Sequence, residues 1–172
     1  MTISNRKDLI LWRHAEAQDL QFGIDDVNRA LTKKGESQAA KMANWLKQYL
    51  SKDICIISSP ALRAEQTIKA LGFPYQINKS LLPKASVDQV LELVQETFYQ
   101  SNVSDILLVG HQPWLGQVAA FFLQINLAEL SIKKSAVWWL RQNLKQQPKT
   151  EDFEQKEKFK LLTVQSPQFF KD

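Results

Sequence analysis

The sequence predicts an α/β fold, a three-layer α/β/α sandwich whose mostly parallel central sheet has an antiparallel edge. Three short, nearly all-apolar runs are each followed by a helical pattern, which is typical of parallel strands covered by helices on both faces. The last two apolar runs have no convincing helix between them, so we expect them to run antiparallel at one edge. At 172 residues the chain is expected to be a single domain.

The chain begins with a strand pattern and then a helix pattern. Residues 8–12 form the first apolar run, and residues 18–31 are polar and irregular. A helix is predicted from about 33 to 50, because apolar residues recur there at three- and four-residue spacings. Thr32 is suited to cap the N-terminus of this helix with its hydroxyl oxygen.

The second apolar run spans 53–58 and predicts another buried strand. Ser59 and Pro60 then indicate a helix start, with Ser as the N-cap and Pro at the first helical position. We expect this helix to carry Arg63 on its first turn and to end at residues 72–74, Gly-Phe-Pro.

The second half of the chain repeats this alternation. A third helix is predicted by an apolar stripe formed by Val87, Val90, Leu91, Val94 and Phe98. Residues 105–109 predict a third buried strand, and a helix follows from about 114 to 123. Residues 136–140 and 160–164 indicate two closing strands, and the polar stretch 143–159 predicts a long exposed connection between them.

Composition and charge exclude several classes of protein. Lys and Arg total 22 against 18 Asp and Glu, and this excess of +4 is too small and too dispersed for a dedicated nucleic-acid binder. The single cysteine, Cys55, can form neither an internal disulfide nor a thiolate metal cage. The apolar runs are too short for a membrane span or a signal-peptide core. We therefore expect a monomeric cytoplasmic protein that binds neither membrane nor nucleic acid.

The chain has only two histidines, and both follow predicted strands. His14 lies two residues after the first apolar run and His111 two residues after the third. Sites in open α/β sheets lie beyond the carboxyl ends of the strands, so Arg13, Arg63 and the two histidines are expected to meet there. Such a cationic cluster suits an oxyanion, most simply phosphate.

Each of these residues also has a simpler structural explanation. A single histidine at a strand end is more often structural than catalytic, and an arginine on a first helical turn usually faces solvent. The coincidence that both histidines occupy strand ends favours the functional interpretation. A carboxylate of the chain itself, placed among these arginines, would count against it.

Four sequence blocks carry a family resemblance. They are LWRHAEA at 11–17, NRALTKKG at 28–35, SSPALRAEQT at 58–67 and GHQP at 110–113. Together, and in this order, they resemble the histidine phosphatase superfamily, and within it the small phosphohistidine phosphatases of the SixA type. The resemblance covers residues 9 to about 123, with Ala15 where the broader superfamily usually has Gly.

The resemblance implies roles for five residues. His14 corresponds to the family's nucleophile, and Arg13, Arg63 and His111 to the rest of its phosphate pocket. Arg29 corresponds to an additional arginine that contacts phosphate. The family fold is the phosphoglycerate mutase-like α/β/α sandwich, and no metal or cofactor is implied.

The expected reaction is a two-step phosphoryl transfer. Neutral His14, with one ring nitrogen held by a backbone carbonyl, attacks phosphorus, and water then hydrolyses the phosphohistidine. We expect His111 to be protonated beside the phosphate. Only Asp88 and Glu16 are candidates for a general acid, and neither matches a family motif.

Weak acid assistance favours a substrate with a good leaving group. A protonated imidazole leaves easily, so a histidine-phosphorylated protein, such as a phosphotransfer or phosphocarrier domain, is the expected partner. Alternatives are a phosphomonoesterase of the same fold acting on a small metabolite, and a non-catalytic phosphate- or phosphoprotein-binding module. A hydrolytic metal site is disfavoured, because two histidines without a His-Glu-x-x-His spacing or a carboxylate cluster are a poor ligand set.

Overall fold

The computed structural model describes residues 6–100, 103–126, 130–143 and 158–170, without the side chain of residue 100. Within these ranges the strands are β1 (Arg6–Arg13), β2 (Cys55–Ser58), β3 (Gln76–Ile77), β4 (Asp105–Gly110), β5 (Val137–Asn143) and β6 (Lys160–Gln165). The helices are α1 (Lys33–Leu46), α2 (Leu62–Lys69), α3 (Val87–Gln100) and α4 (Trp114–Leu123). No helix in the described ranges is long and apolar enough to span a membrane.

The strands form one sheet in the order β3-β2-β4-β1-β5-β6. Strands β1 to β4 are parallel, with Leu11 of β1 opposite Leu108 of β4. Strand β5 runs antiparallel to both β1 and β6, which confirms the predicted antiparallel edge. The carboxyl ends of β1, β2 and β4 consequently lie at the same edge of the sheet.

Helices cover both faces of the sheet, and β1 divides the core between them. Leu9 and Leu11 pack on the face covered by α3 and α4, whereas Ile10 and Trp12 pack on the face covered by α1 and α2. All four side chains are fully buried. Burial on both faces explains why this strand is apolar throughout, and the three-layer prediction is confirmed.

The first helix agrees with its predicted start but not with its end. The Thr32 hydroxyl accepts a hydrogen bond from the Gly35 N–H at 2.9 Å, which confirms the predicted cap. The helix ends at Leu46 rather than at residue 50, because the N–H groups of Gln48 and Tyr49 bond three residues back and tighten the chain into turns.

The start of α2 also differs from the prediction. The Ser59 hydroxyl accepts from the Ala61 N–H at 3.2 Å and holds residues 59–61 in a turn. Ala61 is the N-cap, so Pro60 lies outside the helix rather than at its first position. The helix ends at Lys69, three residues before the predicted stop.

Two strands also differ from the prediction, and most of one predicted connection lies outside the described ranges. Strand β3 was not predicted, since its two residues are exposed and too few to form a pattern. Strand β2 begins at Cys55 rather than residue 53. Of the polar connection predicted at 143–159, residues 144–157 lie outside the described ranges.

Candidate active site

The ends of β1 and β4 bring the two histidines together. Arg13 and Gly110 are paired across these strands, and the His14 N–H donates to the Gly110 carbonyl at 3.0 Å. The rings of His14 and His111 have centroids 5.0 Å apart, and both side chains are buried. The structure therefore places both predicted histidines at one point of the sheet edge.

The contacts of His14 leave its Nε2 unprotonated. Nδ1 lies 2.7 Å from the Ala15 carbonyl oxygen, so it carries the proton and donates to that oxygen. Nε2 accepts from the Arg63 Nε–H at 3.3 Å. Burial, together with the charges of nearby arginines, lowers the pKa of His14 to about 3 despite the Ala15 hydrogen bond. His14 is therefore neutral at pH 7.

A side chain of α2 fixes the backbone beside His14. The Thr67 hydroxyl accepts from the Ala15 N–H at 3.0 Å and donates to the Arg63 carbonyl at 2.7 Å. Thr67 thus joins the loop after β1 to the helix that carries Arg63. It was predicted only as part of α2, and its positioning role depends on a contact that the sequence pattern does not reveal.

Arg63 is buried and held by Asp26. Its Nη2 donates to Asp26 Oδ2 at 2.8 Å, and its Nη1 donates to the Asp26 carbonyl. The other carboxylate oxygen of Asp26 accepts from Arg29, from Nε at 2.9 Å and from Nη2 at 2.8 Å. Burial opposes ionisation of Asp26, but hydrogen bonds from both arginines outweigh it and hold the pKa of Asp26 below its usual range.

Contrary to expectation, a carboxylate of the chain itself, that of Asp26, lies among the arginines of the site. It bridges Arg29 and Arg63 and neutralises part of their charge, which counts against an unobstructed phosphate pocket. The Asp26 side chain is nevertheless 44% exposed, on a short 3-10 turn, and Arg13 has no hydrogen bond or ion pair with it in the described part of the chain. The spacing of Asp26 three residues before Arg29, within one turn, was the available sequence signal.

Arg29 acts first as a partner of Asp26. Besides the two bonds to Asp26, its Nη1 donates to the Gln18 carbonyl at 2.7 Å. Of its five N–H groups, one on each Nη has no acceptor among the described residues. The predicted phosphate contact of Arg29 depends on those two groups.

Ser59 orients His111. His111 Nε2 lies 2.8 Å from the Ser59 hydroxyl, and Nδ1 has no partner among the described residues. Burial, then the charges of His14 and Arg63, lower the pKa of His111 to about 2. His111 is therefore neutral at pH 7 in these surroundings, and the protonated form predicted for it requires the negative charge of a phosphoryl group nearby.

Arg13 links the site to the segment that precedes β5. Its Nη1 donates to the Ile132 carbonyl at 2.7 Å, while Nε has no partner among the described residues. The same segment bonds to the nucleophile candidate, since the Ser135 N–H donates to the His14 carbonyl at 3.1 Å. Arg13 is thus positioned beside His14, with part of its guanidinium group not engaged.

Neither general-acid candidate is supported by its surroundings. The Lys34 ammonium pairs with Glu16 at 3.0 Å, and this bond, assisted by the Thr32 hydroxyl, holds the pKa of Glu16 below its usual range. Glu16 is therefore ionised, which is the wrong protonation state for a general acid. Asp88 is exposed on the first turn of α3, and no hydrogen bond or ion pair joins it to a described residue of the site.

Comparison with known proteins relates this site to a family. The sequence profile of the histidine phosphatase superfamily (branch 1) matches residues 9–84. Phosphohistidine phosphatase SixA of Escherichia coli is 31% identical over 118 residues, which cover 65% of this chain and 71% of SixA. The chain belongs to the histidine phosphatase superfamily.

Further relatives of this member of the superfamily are similar over more of its length. An uncharacterised protein of Picosynechococcus sp. is 33% identical over 140 residues, covering 78% of this chain and 84% of that protein. The solved structure of the protein histidine phosphatase SixA complexed with tungstate has 24% identity and a TM-score of 0.75, over 95% of this chain and 99% of that one. These similarities support a phosphatase and show the shared fold.

The described residues contain no group of three or more His, Cys, Asp or Glu side chains that could hold a metal ion. The charged groups near His14 are instead arginines, with Asp26 between two of them. This arrangement can bind an oxyanion and present an imidazole nitrogen to it.

Proposed function

We propose that this phosphatase hydrolyses phosphoryl groups from histidine-phosphorylated proteins through a covalent intermediate on His14. The supporting observation is that buried, neutral His14 has Nδ1 bonded to the Ala15 carbonyl and Nε2 directed toward Arg63. A neutral imidazole with a fixed tautomer is the form that can attack phosphorus.

In the first step, the Nε2 lone pair of His14 attacks phosphorus in line. The new P–N bond forms as the P–N bond to the substrate imidazole breaks. The substrate imidazole already carries a proton on its other ring nitrogen, so it departs as neutral imidazole with the electron pair of the broken bond. Arg13 and Arg63 donate hydrogen bonds to the phosphoryl oxygens, whose negative charge is spread over three equatorial positions. His111 becomes a further donor once the phosphoryl charge favours its protonation.

In the second step, water attacks the phosphohistidine of His14. The P–N bond breaks, inorganic phosphate leaves, and the pair of electrons returns to Nε2. The Ala15 carbonyl holds the Nδ1 proton throughout, so the ring keeps its orientation for the next turnover. Positioning and charge stabilisation account for catalysis in both steps.

The choice of a phosphohistidine substrate rests on the acid chemistry of the site. An alkoxide leaves a phosphate ester only with a well-placed acid, whereas a protonated imidazole leaves without one. Glu16 is ionised, and no hydrogen bond or ion pair joins Asp88 to a described residue of the site. Neither side chain therefore supplies that acid. A phosphotransfer or phosphocarrier domain is the kind of protein that carries such a group.

The test compares wild type with His14→Ala on a phosphohistidine peptide. Removing the nucleophile is expected to lower phosphate release by about a thousandfold or more. When turnover by the wild type is stopped without acid, a phosphoryl group is expected to remain on His14. Mass spectrometry then identifies His14 as the phosphorylated residue.

The controls separate the alternatives. Lys47→Gln, an exposed change at the C-terminal end of α1, is expected to leave turnover unchanged. A panel of sugar and nucleotide phosphates, assayed beside the peptide, is expected to be hydrolysed far more slowly. Preference for one of these esters would assign a small-metabolite phosphomonoesterase, and absence of turnover on every substrate would indicate a binding module.

A further inference from the structure

A basic groove lies beside the candidate site. It is open to solvent, with a volume of about 710 Å³. Among the described residues that line it, five carry a basic side chain and one an acidic one: Arg13, Lys34, Lys41, Lys133, Lys134 and Glu16. Because Arg13 belongs to the candidate site and also lines the groove, the groove adjoins that site.

The backbone of the groove wall is fixed to the site. Lys133 and Lys134 lie between two anchored residues, Ile132, whose carbonyl accepts from Arg13, and Ser135, whose N–H donates to the His14 carbonyl. The Ser135 carbonyl also accepts from the Trp12 indole N–H at 3.2 Å. The backbone of the two lysines is therefore tied at both ends to the strand that ends in the site.

Lys133 and Lys134 give this wall of the groove a positive charge. The side chains of Lys133 and Lys134 are exposed, and no hydrogen bond or ion pair joins their ammonium groups to a described residue, although the charge of Lys134 helps to lower the pKa of Glu16. Lys34 pairs with Glu16, the one carboxylate among the described residues that line the groove. The groove consequently keeps a net positive charge that can attract a negatively charged partner.

The shape of the groove favours a polypeptide over a small molecule. Small-molecule sites enclose most of the surface of their ligand, whereas this groove is open to solvent and carries five basic side chains among its described residues. Its lysines come from α1 and from the segment before β5, an arrangement that offers positive charge to more than one position of an extended chain.

We propose that the basic groove docks an acidic segment of the phosphoprotein substrate, adjacent in that protein to the phosphorylated histidine. This inference rests on the proposed function and adds the chemistry of the partner to it. Docking places Asp and Glu side chains against Lys133 and Lys134 while the phosphoryl group reaches His14.

The test uses two synthetic peptides, each with a single phosphohistidine and a fluorescent label. One has the phosphohistidine flanked by Asp and Glu, and the other by Asn and Gln. Binding is measured by anisotropy to full-length His14→Ala protein, which does not consume the peptides. The same measurement is made with Lys133→Gln/Lys134→Gln and, as a control of equal charge change, Lys47→Gln/Lys52→Gln, each added to His14→Ala.

The acidic peptide is expected to bind about fivefold to tenfold more tightly than the neutral one, the scale of two or three exposed ion pairs. This preference is expected to disappear in the Lys133/Lys134 variant, to persist in the Lys47/Lys52 control, and to shrink in about 1 M salt. Equal affinities, no binding of either peptide, or a preference retained in the Lys133/Lys134 variant would overturn the proposal. Turnover of the neutral phosphohistidine peptide by the wild type tests the proposed function separately, because that peptide has no acidic side chain to dock.

Discussion

At the scale of single residues, Asp26 determines how the arginines of the site are used. It accepts from Arg63 through Oδ2 and from Arg29 through Oδ1. Its carboxylate thus occupies donors that a phosphoryl oxygen would use, and it also fixes the plane of the Arg63 guanidinium, whose Nε faces His14. Occupying these donors weakens anion binding, whereas fixing the guanidinium plane strengthens it. The direction in which a substitution of Asp26 changes anion binding therefore shows which effect is larger.

Asp26→Asn is expected to strengthen inhibition by tungstate, an oxyanion that mimics phosphate. The substitution removes one negative charge next to two arginines while keeping the size of the side chain. A unit charge at about 4 Å is worth about 1 kcal/mol in water, so the inhibition constant is expected to fall about fivefold.

Asp25→Asn is the matched control, because Asp25 is the neighbouring carboxylate and its side chain makes no cap hydrogen bond. Asp25→Asn is expected to change the inhibition constant for tungstate by less than half of the change that Asp26→Asn causes. Unchanged or weaker inhibition in Asp26→Asn would show that Asp26 chiefly positions the arginines.

At the scale of elements, the start of α1 packs directly against the loop that follows His14. The Thr32 N–H donates to the Glu16 carbonyl at 3.0 Å, and Glu16 N–H donates to Gln38 Oε1 at 3.0 Å. A Cβ added at Gly35 would lie 1.9 Å from the Glu16 carbonyl oxygen. Gly35 is therefore required for close approach of helix and loop rather than for helix formation.

Gly35→Ala is expected to destabilise the protein, by about 1 to 3 kcal/mol. In an unobstructed helix the same change would be stabilising by up to about 1 kcal/mol, so the sign of the effect tests the contact. The measurement is urea unfolding. Asn44→Ala, at an exposed position of the same helix, should be neutral or stabilising. A stabilised Gly35→Ala protein would mean that the loop after His14 moves away readily.

At the scale of the whole molecule, the fold buries two neutral histidines in a cationic region. Burial is the largest cause of the low pKa of both side chains, about 3 for His14 and about 2 for His111, against an ordinary value of 6.5. Below pH 6.5 the unfolded chain binds protons at these positions and the folded protein does not. The contribution of the two histidines to the free energy of unfolding is therefore fully present above pH 6.5 and is lost as the pH falls toward 3.

The free energy of unfolding is accordingly expected to fall between pH 6 and pH 5. The slope approaches about 1.4 kcal/mol per pH unit for each histidine. Urea unfolding in phosphate-free buffers measures it, because bound phosphate would raise both pKa values. The His14→Asn/His111→Asn variant should lose most of this slope, and an equal slope in the variant would show that other groups cause it.

The sequence by itself determined five of the six described strands, the four helices apart from some of their ends, and the edge of the sheet where the site lies. Apolar runs and the Thr32 cap are local patterns, and the positions of His14 and His111 after strands follow from them. Only the tertiary structure decided that Asp26 bonds to Arg63, 37 residues away. Local spacing encodes which face of an element is buried, whereas a contact between distant polar side chains depends on the path of the whole chain.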